Sequence, residues 1–337
     1  MLIIEDNTAV NLDNIALEHY QNLISPLLAD GRSYHKRNSL IGRIHKQRLE
    51  DLRNTQQQRV DFWDFLLNNN YANLMRIITS RPNDLKNCIN EVSRLFGNAL
   101  FSTHISYDLA RLTAFGKIVN KVFNYDLYRK KSECGRYCAQ LNLRYCPYCN
   151  EQVIQVITQG NNQKVLHQLD HFYPQARYPY LSVSFFNLIP GCSVCNSQLK
   201  SEKNFDIDTH FNPFHKRFDD YFTFELEDIN CGSEEDVKII YTNKQVYNPH
   251  AIEDFAIMER YNQAHKKIPY NIMRSLKNRS PKYRRSIFEQ FKSLFRIYDN
   301  TTNRLIENLD IPKERNQINN TQLGKLKRDI AIQLGLL

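Results

Sequence analysis

The chain has 337 residues, a formal net charge of +9 and a hydrophobic content of 42%. This length allows a substantial buried core, and the apolar content excludes an intrinsically disordered chain. No segment approaches the roughly 18 consecutive apolar residues of a membrane span, so we expect no membrane insertion. The excess of basic residues favours a polyanionic partner but says nothing about the fold.

The amino terminus has an apolar run of only three residues, followed by acids, and lacks the basic flank of a signal peptide. We therefore expect a cytoplasmic protein, in which thiols stay reduced. The eight cysteines of the chain must then be core residues, metal ligands or catalytic groups rather than disulfides.

Residues 1–130 are predicted to form a helical N-terminal region. The segment "NDLKNCINEVSRLF" places its apolar side chains on one helix face, and Asn83 or Asp84 is the expected cap. The segments "DFWDFLLNNNYANLMRIITSRP" and "YDLARLTAFGKIVNKVF" carry the same periodicity.

Residues 131–248 change character and are predicted to form a central module with short strands. Two β-rich runs, "EQVIQVITQG" and "QKVLHQLDHF", flank Gly160, Asn161 and Asn162, residues typical of a hairpin turn. Further on, "YFTFELED" alternates apolar and polar residues, and "DVKIIYTN" is expected to pair with it. The predicted fold class is therefore α+β, with mostly helical flanks around this centre.

Residues 249–337 are predicted to form a basic helical C-terminal region. The segment "HKKIPYNIMRSLKNRSPKYRRSIFEQFKSLFR" interleaves basic and aromatic side chains. Such a surface suits the backbone of a nucleic acid, which binds through salt-dependent phosphate contacts. The expected phosphate contacts in this region are Arg274, Lys277, Arg284 and Arg285.

Four of the eight cysteines form two Cys-x-x-Cys pairs, Cys146 with Cys149 and Cys192 with Cys195. Two such pairs supply four thiolates, which is the ligand set of a tetrahedral structural zinc site. Two unrelated thiol pairs, or one redox motif, are the alternatives. The other four cysteines, Cys88, Cys134, Cys138 and Cys231, are interpreted as core or turn residues. Cys134 and Cys138, which are four residues apart, could also hold a metal.

A zinc ion at both pairs would close a loop of 42 residues, 150 to 191, and bring "LDHFYP" near "CN". Four thiolates leave no open coordination position, so this zinc is expected to be structural. Within the loop, a neutral imidazole at His171 can accept a proton from water. Asp170 and Asn196 offer the hard oxygen atoms that Mg²⁺ prefers, and the Asn187 amide could orient the loop that follows His171.

Two features of this site are open at the level of sequence. Lys200 and Lys203 follow Asn196 at helical spacing and suit either phosphate contacts or a solvated surface. Asp170 and His171 are neighbours on a predicted strand, where side chains point to opposite faces. Both side chains can reach one metal only if the strand bends or ends there.

The run "CPYCN…LDHFYPQARYPYLSVSFFNLIPGCSVCNSQLK" resembles the zinc-stapled HNH endonucleases of the ββα-metal (His-Me finger) type. Within them it is similar to the PtuB nucleases of the Septu and retron-linked anti-phage defence systems. The resemblance covers residues 146–203. The Gly-rich piece that many members carry between the Asp-His pair and the middle Asn is absent, and "YPYLSVSF" stands there instead.

The resemblance implies a metal-dependent endonuclease that hydrolyses phosphodiester bonds of DNA. His171 would be its general base, Asp170 and Asn196 the ligands of a catalytic Mg²⁺ or Mn²⁺, and Asn187 the middle Asn. It further implies an ATPase subunit as partner, and possibly a retron reverse transcriptase complex. The chain has no Walker-type loop, so ATP use would reside in the partner.

Two alternatives remain at this point. A zinc-stabilised nucleic-acid-binding module without chemistry would need the cysteine pairs but not Asp170, His171 or Asn196. An HNH ribonuclease acting on tRNA would use the same residues on another substrate, with aromatic side chains stacking on single-stranded bases.

Overall fold

A computed structural model describes residues 4, 11–29, 32–245, 249–277 and 299–337, and it divides the chain into two compact units. The larger unit contains residues 4–142 and 155–215. The smaller unit contains residues 1–3, 143–154 and 216–337. The domain boundaries predicted after residues 130 and 248 stay a prediction.

The larger unit begins with seven helices among its described residues. Their apolar faces enclose an aromatic cluster in which the Phe62 ring lies 4.9 Å from Phe101 and 5.9 Å from Phe115. Trp63 is fully buried, and its indole nitrogen donates a 2.7 Å hydrogen bond to Asp51. The helices are α1 Leu12–Ile24, α2 Leu40–Arg53, α3 Gln57–Thr79 (broken by non-helical residues at 68–71), α4 Pro82–Phe96, α5 Ala114–Phe123, α6 Tyr125–Arg129 and α7 Ser132–Gln140.

Helix α4 starts earlier than its sequence predicts. The predicted cap at Asn83 or Asp84 is wrong: Arg81 is the N-cap and Pro82 occupies the first turn. A proline is favoured there because its missing N–H would have no partner in the helix anyway. The predicted apolar face is confirmed at Leu85 and Cys88, which are buried.

The strands of the larger unit pair as two-stranded antiparallel hairpins. The predicted hairpin around Gly160 and Asn161 is confirmed, with Gln159 opposite Asn162. Helix α7 packs closely on it, since a Cβ atom at Gly135 would lie 2.1 Å from the carbonyl oxygen of Gln163. The four pairs are β1 Pro26–Ala29 with β2 Arg32–His35, β3 Ser102–His104 with β4 Ala110–Leu112, β5 Val156–Gln159 with β6 Asn162–Val165, and β7 Gln168–His171 with β8 Leu188–Gly191.

The described part of the smaller unit combines an antiparallel hairpin with short helices. The predicted pairing is confirmed: β9 Phe222–Leu226 pairs with β10 Ile239–Asn243, and Phe222, Phe224 and Leu226 all face the core. The Phe224 ring lies 5.3 Å from that of Tyr261. The described helices are α8 Ala251–Asp254, α9 Ile257–Ala264, α10 Lys267–Lys277, α11 Asp299–Asn308 and α12 Gly324–Gln333.

The architecture is therefore mixed, with helices and small antiparallel sheets, and the predicted α+β class is confirmed at that level. None of the helices in the described ranges has both the length and the apolar composition needed to cross a bilayer.

Candidate functional site

The four cysteines of the two Cys-x-x-Cys pairs lie together. The Sγ atoms of Cys146, Cys149, Cys192 and Cys195 are all within 4.8 Å of one another, and all four residues are buried. The backbone N–H of Cys195 points at the Cys192 sulfur, 3.4 Å away. Four convergent soft ligands are the donor set of a tetrahedral metal, so this cluster can hold an ion such as zinc.

Asn150 fixes the first cysteine pair from one side. It is fully buried in a left-handed conformation, with φ of 53°. Its side-chain nitrogen donates to the carbonyl oxygens of Ile318 and Thr321, at 3.0 and 3.1 Å, and its side-chain oxygen accepts from the backbone N–H of Lys325. Asn150 was not predicted from the sequence, although an asparagine directly after a Cys-x-x-Cys pair is a candidate for such a turn.

The β7–β8 hairpin and the segment after it carry the predicted catalytic residues in one continuous stretch. Strand β8 leads past Cys192 into a short π-helix, Val194–Lys200, which contains Cys195 and ends with the Ser201 N–H donating to the Asn196 carbonyl oxygen. π-helical turns are rare and occur frequently at functional sites. The order is therefore strand, strand, helix.

One face of β7 contacts this π-helix through two side-chain pairs. Asn196 donates from its side-chain nitrogen to the Gln168 side-chain oxygen at 2.8 Å. Two residues further along the strand, Asp170 accepts a 2.7 Å hydrogen bond from the Lys200 ammonium. Gln168 and Asp170 share a face because side chains alternate along a strand. Asp170 and Asn196 are thereby on facing surfaces, and the amide oxygen of Asn196 has no hydrogen-bond partner among the described residues.

His171 points away from that face. Its Nε2 lies 2.9 Å from the Ser182 carbonyl oxygen, and its ring meets that of Tyr125 edge-on, at 4.5 Å between centroids. A carbonyl oxygen only accepts, so Nε2 carries the proton and Nδ1 is the basic nitrogen of the neutral ring. Within the described part of the chain, Nδ1 has no hydrogen-bond partner.

Burial lowers the pKa of His171 to about 4, against the smaller opposing effect of its hydrogen bond to Ser182. The charges of Asp170 and Asp126 also act to raise this pKa, and that of Lys200 to lower it. The imidazole is therefore neutral at physiological pH.

The strand shows no bend that would turn both side chains to one side. Asp170 lies opposite Ile189 and His171 opposite Leu188 in a regular antiparallel register. His171 is, however, the last residue of β7. The two side chains thus leave the end of one strand in opposite directions, Asp170 towards the π-helix and His171 towards Tyr125.

Asn187 fixes the loop that follows His171. It is fully buried, and its side-chain oxygen accepts from the Tyr173 backbone N–H at 2.7 Å. Its side-chain nitrogen donates to the carbonyl oxygens of Tyr173 and Leu181, at 3.2 and 3.1 Å. Because these bonds join both ends of the loop 173–181, the Asn187 amide holds the backbone beside the imidazole.

Lys200 differs most from its predicted position. The helical spacing predicts a phosphate contact or a solvated surface, but only 1% of this residue is exposed. Its ammonium contacts Asp170 and also donates to the His171 carbonyl oxygen at 2.6 Å. The π-helical turn explains the difference, because it points the side chain at the face of β7 rather than outwards.

The remaining predicted phosphate contacts lie elsewhere. Lys203 follows the π-helix and is partly exposed. Arg274 and Lys277 are exposed on α10, three residues apart, and Lys277 also donates to the Cys231 carbonyl oxygen at 3.2 Å. Arg284 and Arg285 lie outside the described residues. Comparison of the chain with protein-family models, curated proteins and solved structures gave no match in any of the three.

Proposed function

We propose that this protein is a metal-dependent endonuclease of the HNH, or ββα-metal, type. The observation that carries the proposal is the strand–strand–helix order of 168–200. In this stretch the carboxylate of Asp170 and the amide of Asn196 lie on facing surfaces. The first strand ends at His171, whose imidazole is neutral. These are the groups that hydrolysis of a phosphodiester requires: a base for water and hard oxygen ligands for a divalent cation.

In this proposal His171 is the general base. Its Nε2–H is held by the Ser182 carbonyl oxygen, so Nδ1 is the atom that accepts a proton from the attacking water. The Asn187 amide keeps the adjoining backbone in place. A base that is fixed in one tautomer and one orientation is always placed to accept the proton, whereas a mobile imidazole would spend part of its time misoriented and lower the rate.

Asp170 and Asn196 would hold Mg²⁺ or Mn²⁺. Their side-chain oxygens are ligands of the right kind, and a cation, the Lys200 ammonium, already lies against Asp170. When bound, such an ion supplies charge stabilisation for the phosphate and its leaving oxygen. The four-cysteine cluster would hold Zn²⁺ in a structural role, since four thiolates leave no position for a substrate.

The proposed substrate is DNA, and the proposed setting is bacterial anti-phage defence of the Septu or retron-linked kind. The net charge of +9 and the exposed Arg274 and Lys277 favour a sequence-independent phosphate contact. The proposed partners are an ATPase subunit and a retron reverse transcriptase complex.

The proposal is tested by incubating the purified protein with supercoiled plasmid and Mg²⁺. Replacing His171→Ala is expected to slow nicking by roughly 100-fold or more, the usual contribution of a general base. The matched control is His104→Ala, which removes an exposed histidine of the same unit. Equal nicking by His171→Ala and the unchanged protein would exclude His171 as the base. Parallel reactions on tRNA separate a deoxyribonuclease from a ribonuclease, and binding without cleavage of either would indicate a non-catalytic module.

A further inference from the structure

Lys200 is a buried lysine whose three donor directions all have partners. The ammonium lies 2.7 Å from an Asp170 carboxylate oxygen and 2.6 Å from the His171 carbonyl oxygen. It also lies 4.9 Å from the centre of the Phe205 ring. Asp170 is only 2% exposed, so the ion pair is shielded from water on both sides.

The groups around the Lys200 ammonium are of the kind that surround a bound cation. A lysine ammonium has three donors, and here a carboxylate, a carbonyl and an aromatic face take one each. A buried ammonium is tolerated only when it is paired in this way. The ammonium therefore occupies the position at which the oxygens of Asp170 and His171 converge, and it has no donor left for a substrate phosphate.

A divalent ion on Asp170 would compete with this ammonium. Both are cations, both need the same carboxylate, and a low-dielectric site strengthens their mutual repulsion. The turn that carries Lys200 lies near the surface, because the residues directly after it, Ser201 and Glu202, are exposed.

The backbone that carries Lys200 is itself in an unfavourable conformation. The turn is π-helical, and Ser201 ends it with φ of 49° and ψ of −121°. A residue with a side chain rarely adopts such a positive φ, and this conformation persists only where surrounding contacts hold it. The contacts of Lys200 with Asp170 and His171 are such contacts, so their loss would let the turn relax.

We propose that Lys200 is a stand-in for the catalytic cation. In the metal-free protein it holds the Asp170 carboxylate and the end of β7 in place, and binding of a divalent ion at Asp170 displaces its ammonium to the surface of the site. The inference rests on the proposed function for the identity of the ion. This exchange explains why Lys200 is buried although its spacing after Asn196 predicts a phosphate contact. Only the metal-bound protein would present the Lys200 amine to a phosphate.

The test is amine labelling of the zinc-loaded protein with acetic anhydride, read by mass spectrometry, with and without saturating Mg²⁺ or Mn²⁺. Lys200 is expected to be protected without the added ion and labelled with it. Lys325 is the matched control, because it is also fully buried and paired with aspartates. It should stay protected throughout. Asp170→Asn should expose Lys200 to labelling without any added ion.

A second measurement uses Mn²⁺ binding followed by electron paramagnetic resonance. The Lys200→Met variant lacks the competing ammonium, so it should bind Mn²⁺ roughly tenfold more tightly than the unchanged protein. In the unchanged protein, the state in which Lys200 occupies Asp170 reduces the apparent affinity for the ion. The labelling does not depend on this variant, so a folding defect would leave the proposal tested.

Protection of Lys200 at a Mn²⁺ concentration that saturates the protein would overturn the inference, and so would a protein that binds no Mn²⁺ with or without Lys200. The first result leaves the proposed nuclease function intact if His171-dependent plasmid nicking is still observed, whereas the second removes the metal site on which that function also depends. Conversely, ion-dependent labelling of Lys200 without any cleavage of nucleic acid would support the exchange and remove the proposed nuclease function.

Discussion

Two buried lysine–aspartate clusters in the described part of the chain look alike but have different surroundings. In the smaller unit, the Lys325 ammonium contacts both oxygens of Asp329, at 2.6 and 2.5 Å, and Asp219 at 2.5 Å. In the larger unit, Lys200 contacts one oxygen of Asp170 and one backbone carbonyl. Lys325 thus balances two carboxylates, whereas Lys200 balances one and also touches the backbone of the proposed base.

The surroundings give the two clusters different roles. Asp329 accepts from the Phe224 backbone N–H at 2.9 Å, so the Lys325 cluster fastens α12 to β9. Burial raises the pKa of Asp329, and the nearby ammonium only partly offsets this. The Lys200 cluster instead fastens a π-helical turn to the end of β7, beside His171. A buried ion pair alone therefore does not indicate a functional site; the neighbouring groups decide it.

The largest effect is expected from Lys325→Met. This change leaves the buried Asp329 without its cation and removes one of the cations around Asp219, which keeps Arg315 at 3.1 Å, so the free energy of unfolding should fall by about 3–5 kcal/mol. Urea denaturation at neutral pH measures the loss. Added Mg²⁺ should restore none of it. Full recovery with Mg²⁺ would contradict a purely structural role for the cluster.

Lys200→Met is expected to cost somewhat less, about 3 kcal/mol, because Lys200 contacts one carboxylate whereas Lys325 contacts two. The informative difference is the response to metal. Mg²⁺ binding to the folded state should recover part of the lost stability by mass action, as it does not for Lys325→Met. If the two methionine variants respond identically to Mg²⁺, the distinction between the clusters fails.

Mild acid should weaken the larger unit before it weakens the Lys325 cluster. Burial lowers the pKa of His19 to about 4, and its Nε2 lies 2.7 Å from the Val183 carbonyl oxygen. Below the unfolded pKa of about 6.5 the unfolded chain binds a proton that the folded chain does not, so stability falls. At pH 5 the loss from His19 alone should be about 2 kcal/mol.

Asp219 of the smaller unit responds at lower pH than His19. Burial acts to raise the pKa of Asp219, but the nearby cations, Lys325 first, outweigh it and hold the pKa below its usual value. Its stabilising contribution is therefore lost only below the unfolded pKa of about 3.9. Hydrogen exchange at pH 7 and pH 5 distinguishes the units, and His19→Gln should reduce the acid sensitivity of the larger one.

The smallest effects are expected from two tyrosine hydroxyls, one in each unit. The Tyr137 hydroxyl donates to the Leu188 carbonyl oxygen at 2.8 Å, opposite His171 in the hairpin, and the Tyr261 hydroxyl donates to the Cys149 carbonyl oxygen at 2.7 Å. Each Tyr→Phe change should cost about 1 kcal/mol. Tyr137→Phe should reduce plasmid nicking, whereas Tyr261→Phe should instead hasten loss of zinc to a chelator. An exchange of these two phenotypes would contradict the assigned roles.

Local patterns predicted the elements well where local chemistry decides them. Two β-rich runs with turn residues between them predicted the β5–β6 hairpin, and the spacing of the cysteines predicted their cluster. The start of α4 was mispredicted because two signals compete there, a capping side chain after Pro82 and the proline's own preference for the first turn. The position of Lys200 was not predictable, since regular helical spacing gives no sign of a π-helical turn.

By itself the sequence determined the mixed fold class, the four thiolates, and the neighbouring acid and imidazole, because these follow from residue type and short-range spacing. Only the tertiary structure decided which ring nitrogen of His171 is basic, that Asn187 and Asn150 fix their loops, and that Lys200 is buried on Asp170. Each of these depends on a partner distant in the chain: Ser182 for His171, residues 318–325 for Asn150, and the face of β7 for Lys200. Such partners are selected by the packing of the whole unit, where a buried polar group must find one or remain costly.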